Sequence, residues 1–102
     1  MRKNGMRPVP PGEILKEEFL KPLGLTATAL AKSIEVPPNR ITAILKGERG
    51  ITGDTALRLS TFFKTSAEFW MNLQMTYDLR KAEKALSASV KKTIEKHRAA
   101  FA

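Results

Sequence analysis

Apolar residues in this chain recur at three- and four-residue intervals in short bursts, separated by prolines, glycines and hydroxyl residues. That period belongs to amphipathic helices, and no segment alternates polar and apolar positions as a half-buried strand would. Ile14, Leu15 and Phe19 form the first burst, behind Pro11, whose missing N–H is harmless at a helix start. Pro22 and Gly24 are expected to end that helix. Thr26 is placed to cap a second one, with Leu30, Ala31 and Ile34 as its inner face and Leu25 and Leu30 packing across the cap. A third helix is predicted from Pro38 to Lys46, closed by Gly47. Thr52 caps a fourth, with Asp54 near its positive end and Ala56, Leu59 and Phe63 inward. Ser66 opens a fifth that carries Phe69, Trp70, Leu73 and Tyr77. The fold class predicted is all-α, with five helices over residues 10–79.

Beyond Leu79 the composition turns to Lys, Glu, Ala and Ser, with Val90, Ile94, His97 and Phe101 as a thin apolar stripe. Residues 80–102 therefore read as a basic C-terminal helix or tail, a possible additional helix that needs a partner surface, because an isolated helix of this length is marginal in water. Residues 1–9 lack periodicity and read as a flexible basic N-terminal arm.

Charge changes the picture less than its total suggests. The 102 residues carry a formal +8, which favours an acidic partner such as nucleic acid. Yet residues 8–79 hold eight basic and eight acidic side chains, so the excess belongs to the two ends, and basic ends are as often solvated tails as phosphate contacts. Without cysteine there is no disulfide framework, thiolate metal site or cysteine nucleophile. No apolar run is long enough to cross a bilayer, and the expected location is the cytoplasm.

The stretch "VPPNRITAILKGERG" carries the sharpest local signal. Pro38 bars Pro37 from the α region, so the chain stays extended through Pro37 and turns helical only at Pro38. Two short helices joined by a tight turn, the second starting at a fixed residue, have the layout of a DNA-reading helix-turn-helix. Its demands are met position by position: small Ala31 at the helix crossing, apolar Val36 after the bend, and Ile41, Ile44 and Leu45 inward while Asn39, Arg40, Thr42, Ala43 and Lys46 face outward. Asn39 and Arg40 fall in the leading turn, where Asn can pair with adenine and Arg with guanine. Thr42 and small Ala43 let the helix sit close to the groove; Lys46 and Arg49 are better suited to phosphate.

The pattern "LTATALAKSIEVPPNRITAILKGERGITGDTALRL" resembles the XRE-type, phage-repressor-like helix-turn-helix, and with "PPGEILKEEFLKPLGL" and "TSAEFWMNLQMTYDL" around it, the HigA/VapI antitoxin subfamily. The resemblance covers about residues 7–79. It implies a five-helix repressor-like DNA-binding domain, usually a homodimer, that represses its own operon at an inverted repeat in double-stranded DNA and neutralises a HigB-type ribonuclease toxin. On that resemblance Ala27, Thr28, Asn39, Arg40, Thr42 and Ala43 match positions that face DNA, and together with Pro38, Lys46 and Arg49 they are the candidate DNA-binding residues. Two positions depart from the XRE pattern: Ala27 stands where Gln is common, so a phosphate contact there falls to backbone N–H, and Glu35 stands where the turn commonly has Gly. A toxin that binds RNA through positive charge would repel the basic tail, so the toxin-binding candidates are Glu13, Glu17 and Glu18 of the first helix. When bound to its operator the protein would be nucleoid-associated.

Each signal has a duller counterpart. Phe69 and Trp70 at helical spacing fit a core or dimer face better than a base-stacking platform. His97 sits among Lys and Arg and reads as a tail residue rather than a metal ligand or base. "GERG" lacks the Lys-Ser/Thr of a phosphate-binding loop. Glu13, Glu17 and Glu18 imitate paired catalytic carboxylates only in spacing, with no histidine or metal set beside them. No enzyme, cofactor or metal is expected. A stand-alone XRE-type transcriptional regulator without a toxin partner, and a protein-interaction module, remain open alternatives.

Overall fold

Hydroxyl caps open four of the helices, Ser87 making the last of them. The side chains of Thr26, Thr52 and Ser66 accept from the backbone N–H of Ala29, Thr55 and Phe69, at 3.0, 3.5 and 3.0 Å, each satisfying a donor that the first turn of a helix leaves unpaired. In the computed structural model, which describes residues 7–101, every regular element is helical. Helix α1 is continuous through Pro11–Ile14, Leu15–Leu20 and Lys21–Leu23. It is followed by α2 (Ala27–Ser33), α3 (Pro38–Leu45), α4 (Gly53–Phe63), α5 (Ala67–Ala85) and α6 (Ala88–Ala99).

Pro22 does not end α1. Leu15–Leu20 form a π-helical stretch, and the N–H of Lys21 donates to the carbonyl of Lys16, five residues back. A proline offers no N–H and crowds the carbonyl four residues behind it; a wider turn just ahead carries the helix past it. The helix stops at Gly24, in the left-handed region at φ 62°. The N–H of Leu25 closes that end on the Leu20 carbonyl at 2.9 Å.

The core is Leu15, Leu20, Leu30, Ala31, Ile34, Val36, Ile41, Ile44, Ile51, Ala56, Leu59 and Trp70. Phe19, Leu45, Phe63 and Leu73 are partly covered and pack against it. Trp70 is fully buried, and its indole N–H donates to Thr65 Oγ1 at 2.8 Å. Phe19, Phe63 and Phe69 ring it with centroids 4.9, 6.3 and 5.0 Å away, so Trp70 serves the core. Helix α2 packs on α3 and α4 on α5, while α1 lies across both α3 and α5. At the α1–α3 crossing a Cβ on Gly12 would overlap the Ile44 carbonyl, which explains a glycine inside a helix.

Helix α5 runs on to Ala85, well past Leu79, and from Asp78 onward every described residue is exposed. Ser87 caps α6, accepting from the Val90 N–H at 3.1 Å. The apolar stripe of the C-terminal stretch lies uncovered, with Val90 44% and Ile94 55% exposed. The radius of gyration, 17.2 Å, exceeds the roughly 13 Å of a globular domain of this size. Of the basic N-terminal arm, residues 1–6 lie outside the described residues; Arg7 is exposed and pairs with Glu13.

Candidate nucleic-acid interface

The backbone of Pro37 is extended (φ −62°, ψ 143°) and α3 begins at Pro38, as proline stereochemistry requires. No side chain caps this start; only the Arg40 N–H is taken up locally, by the Pro37 carbonyl at 3.0 Å. The leading turn of α3 therefore keeps the positive end of its dipole open to an anion.

The turn before it is closed by αL geometry at Glu35, φ 59°. The N–H of Val36 donates to the Ala31 carbonyl at 2.9 Å and that of Glu35 to Lys32 at 3.2 Å, a Schellman closure in which Val36 folds back into the core. Glu35 thus takes the conformation a glycine would take, at a steric cost glycine would not incur.

Helix α3 is two-faced. Ile41 and Ile44 are buried, whereas Pro38, Asn39 and Lys46 are exposed and Thr42 and Ala43 partly so. Asn39, Thr42, Ala43 and Lys46 stand at i, i+3, i+4 and i+7, one continuous row. Thr42 Oγ1 donates to the Asn39 carbonyl at 3.3 Å, so the hydroxyl is engaged within the row. Thr28 is exposed and Ala27 partly covered in the first turn of α2, which packs on α3. Arg49 is exposed on the loop after α3; that loop is tied to α5 by the Ile51 N–H, which donates to Gln74 Oε1 at 2.7 Å.

Arg40 departs from the expected outward position. Its Nη1 lies 2.7 Å from Asp54 Oδ2, and its side chain is only 23% exposed. Asp54 also accepts from Arg58 Nε, through Oδ1 at 3.2 Å and Oδ2 at 3.0 Å. Arg58 in turn donates from Nη1 to the Ile34 carbonyl at 2.7 Å and to the Glu35 carbonyl at 3.2 Å. Hydrogen bonds from Arg40, opposed by desolvation and reinforced by Arg58, hold the Asp54 carboxyl below the usual aspartate range. One carboxylate thereby joins the start of α3, the start of α4 and the turn between α2 and α3. In the sequence Asp54 stands out only as a helix-end charge, and little singles out Arg58 or Gln74. The i, i+4 spacing of Asp54 and Arg58 was the one available hint.

The acidic candidates on α1 are partly neutralised. Glu13 pairs with Arg7 at 3.0 Å and Glu17 with Lys21 at 3.2 Å, while Glu18 is exposed.

The family model described as Helix-turn-helix (HTH_3) matches residues 15–70. Virulence-associated protein I of Dichelobacter nodosus is 56% identical over 81 residues, 79% of this chain and 75% of the relative. Among solved structures, Pseudomonas aeruginosa antitoxin HigA with the higBA promoter is 44% identical and superposes at a TM-score of 0.79 over 87% of this chain and 92% of that one. The P. aeruginosa protein PA4674 in complex with its 18-bp operator DNA is 43% identical, with a TM-score of 0.82 over 87% and 96% of the two chains.

Proposed function

This chain belongs to the helix-turn-helix family whose HTH_3 model matches residues 15–70, from within α1 to the first turn of α5, and from that membership we propose that it is a DNA-binding repressor and the antitoxin of a HigBA-like toxin–antitoxin pair. The observation that carries the DNA-binding half is the exposed row Asn39, Thr42, Ala43 and Lys46 on a helix whose opposite face is buried and whose first turn is uncapped. A helix so presented fits the major groove with its N-terminal residues against base edges. Two relatives solved with DNA, the antitoxin HigA with the higBA promoter and PA4674 with its operator, support the same role.

As a symmetric dimer the protein reads an inverted repeat with half-sites about 34 Å apart or a multiple of that. Thr28, Arg49 and the backbone N–H of Ala27 flank the row and set register on the phosphates, alongside Lys46, while Pro38, with no donor to offer, fixes where α3 begins. The protein works in the cytoplasm, and among the described residues no helix is long and apolar enough to cross a membrane. The toxin, a HigB-type ribonuclease, docks on α1, where Glu18 is the exposed carboxylate and Glu13 and Glu17 can exchange their internal partners for basic ones.

The test is titration of the full chain against a labelled duplex from upstream of its own gene and a scrambled duplex of equal length, with co-expression of the adjoining small reading frame. Preference for the upstream duplex together with rescue of growth is the expected result. Equal affinity for both duplexes would overturn the DNA-binding reading, and no rescue would overturn the antitoxin reading.

A further inference from the structure

Arg40, Asp54 and Arg58 form a connected side-chain network at the interface, and stability alone does not account for it. Asp54 is 55% exposed and Arg58 39%, and ion pairs so placed contribute little to folding. What the network does have is position. It fastens the third residue of α3 to the second residue of α4, and through Arg58 it holds the carbonyls of Ile34 and Glu35 at the bend of the motif.

We propose that Asp54 and Arg58 are positioning residues for operator recognition, which touch no DNA yet hold the Arg40 guanidinium and the α2–α3 turn in the arrangement that fits the groove. The proposal rests on the DNA-binding reading above. Nη1 of Arg40 is committed to Asp54, while its buried Nε finds no partner among the described residues. A guanidinium carries five N–H donors in a rigid fork, so the held group retains donors for a base edge or phosphate at one fixed orientation. Its charge is also balanced: with Asp54 the three side chains sum to a single positive charge, and without it to two, beside the leading turn of α3. An unheld arginine there is a mobile cation that any phosphate attracts, and phosphate attraction carries no sequence information. Asp54 therefore converts a general DNA affinity into a selective one.

The experiment titrates the full chain, Asp54→Asn, Asp54→Glu, Arg40→Ala and the Arg40→Ala/Asp54→Asn double variant against the upstream and scrambled duplexes over a salt series, with circular dichroism to keep every titration below the melting transition. Asp54→Asn is expected to lower the upstream-to-scrambled affinity ratio about tenfold, the scale of one good side chain–base pairing, and to steepen the salt slope on scrambled DNA by about one phosphate contact. Asp54→Glu, which keeps the charge but shifts the carboxylate, should lose the ratio while keeping the slope. In the Arg40→Ala background Asp54→Asn should lower the ratio by much less, through Arg58 and the α2–α3 turn alone. An unchanged ratio in Asp54→Asn, or an equal loss with and without Arg40, overturns the proposal. An unaltered protein that shows no preference between duplexes overturns the DNA-binding reading itself, and the same titration separates the two failures.

Discussion

Arg40 Nη1 donates to Asp54 Oδ2 across 2.7 Å, joining the leading turn of α3 to the first turn of α4. Because this pairing, reinforced by Arg58, depresses the Asp54 carboxyl, its stabilisation is fully present above the ordinary aspartate pKa of about 3.9 and is lost as pH falls through the depressed value. Urea unfolding of the protein and of Asp54→Asn at a series of pH values checks this. The difference between them should be small, as for any largely exposed pair, constant from about pH 8 to pH 5, and should close below about pH 4. A difference that instead fades between neutral pH and pH 5 would contradict the pairing.

Gly12→Ala should destabilise the fold by about 1–3 kcal/mol, because the added methyl meets the Ile44 backbone carbonyl, which cannot rotate away as a flexible side chain can. Thermal melting by circular dichroism measures it. Gly53→Ala is the control: a Cβ there meets nothing, and its melting temperature should not fall.

Glu35→Gly should raise stability by something under about 1 kcal/mol. Relief of left-handed strain, about 1–2 kcal/mol, outweighs the extra freedom glycine gives the unfolded chain, about 0.5–1 kcal/mol. Glu35→Val at the same φ of 59° should lower stability, since a β-branched residue fits that region worst. Lys64, also at φ 59°, should respond in the same order.

Along the α3 row, Asn39→Ala and Lys46→Ala should separate by mechanism. Loss of Asn39 should relax selectivity at one base pair by about 1–3 kcal/mol, whereas loss of Lys46 should weaken all sequences alike and reduce the salt slope by about 1. Competition titrations with single-base variants of the upstream duplex distinguish the two.

Deleting residues 87–102 should remove helical signal without moving the melting temperature of the α1–α5 body, because no residue in α6 is buried. A lower melting temperature would show that the Val90–Ile94 stripe is covered in solution.

Interactions within a few residues of one another could be read from the chain. The hydroxyl caps at Thr26, Thr52 and Ser66, the start of α3 at Pro38, the glycine stops at Gly24 and Gly47, and the inward Leu30, Ile41, Ile44 and Leu59 depend on backbone stereochemistry and on 3.6-residue spacing. The αL end at Lys64 was hidden, because lysine does not advertise that conformation, and at Glu35 the one hint was the glycine common at that place in XRE-type turns. The course of α1 past Pro22 depended on a wider turn that no propensity announces. Most decisive for the interface, Arg40 looked like a free outward guanidinium until Asp54, fourteen residues away in sequence, came within 2.7 Å of it. The sequence by itself determined which helices form and which face of each is apolar, since those are local balances of hydrogen bonding and burial. Only the tertiary structure decided which charges meet, which backbone Gly12 must clear and which arginine is held, since these depend on where separate helices come to rest against one another.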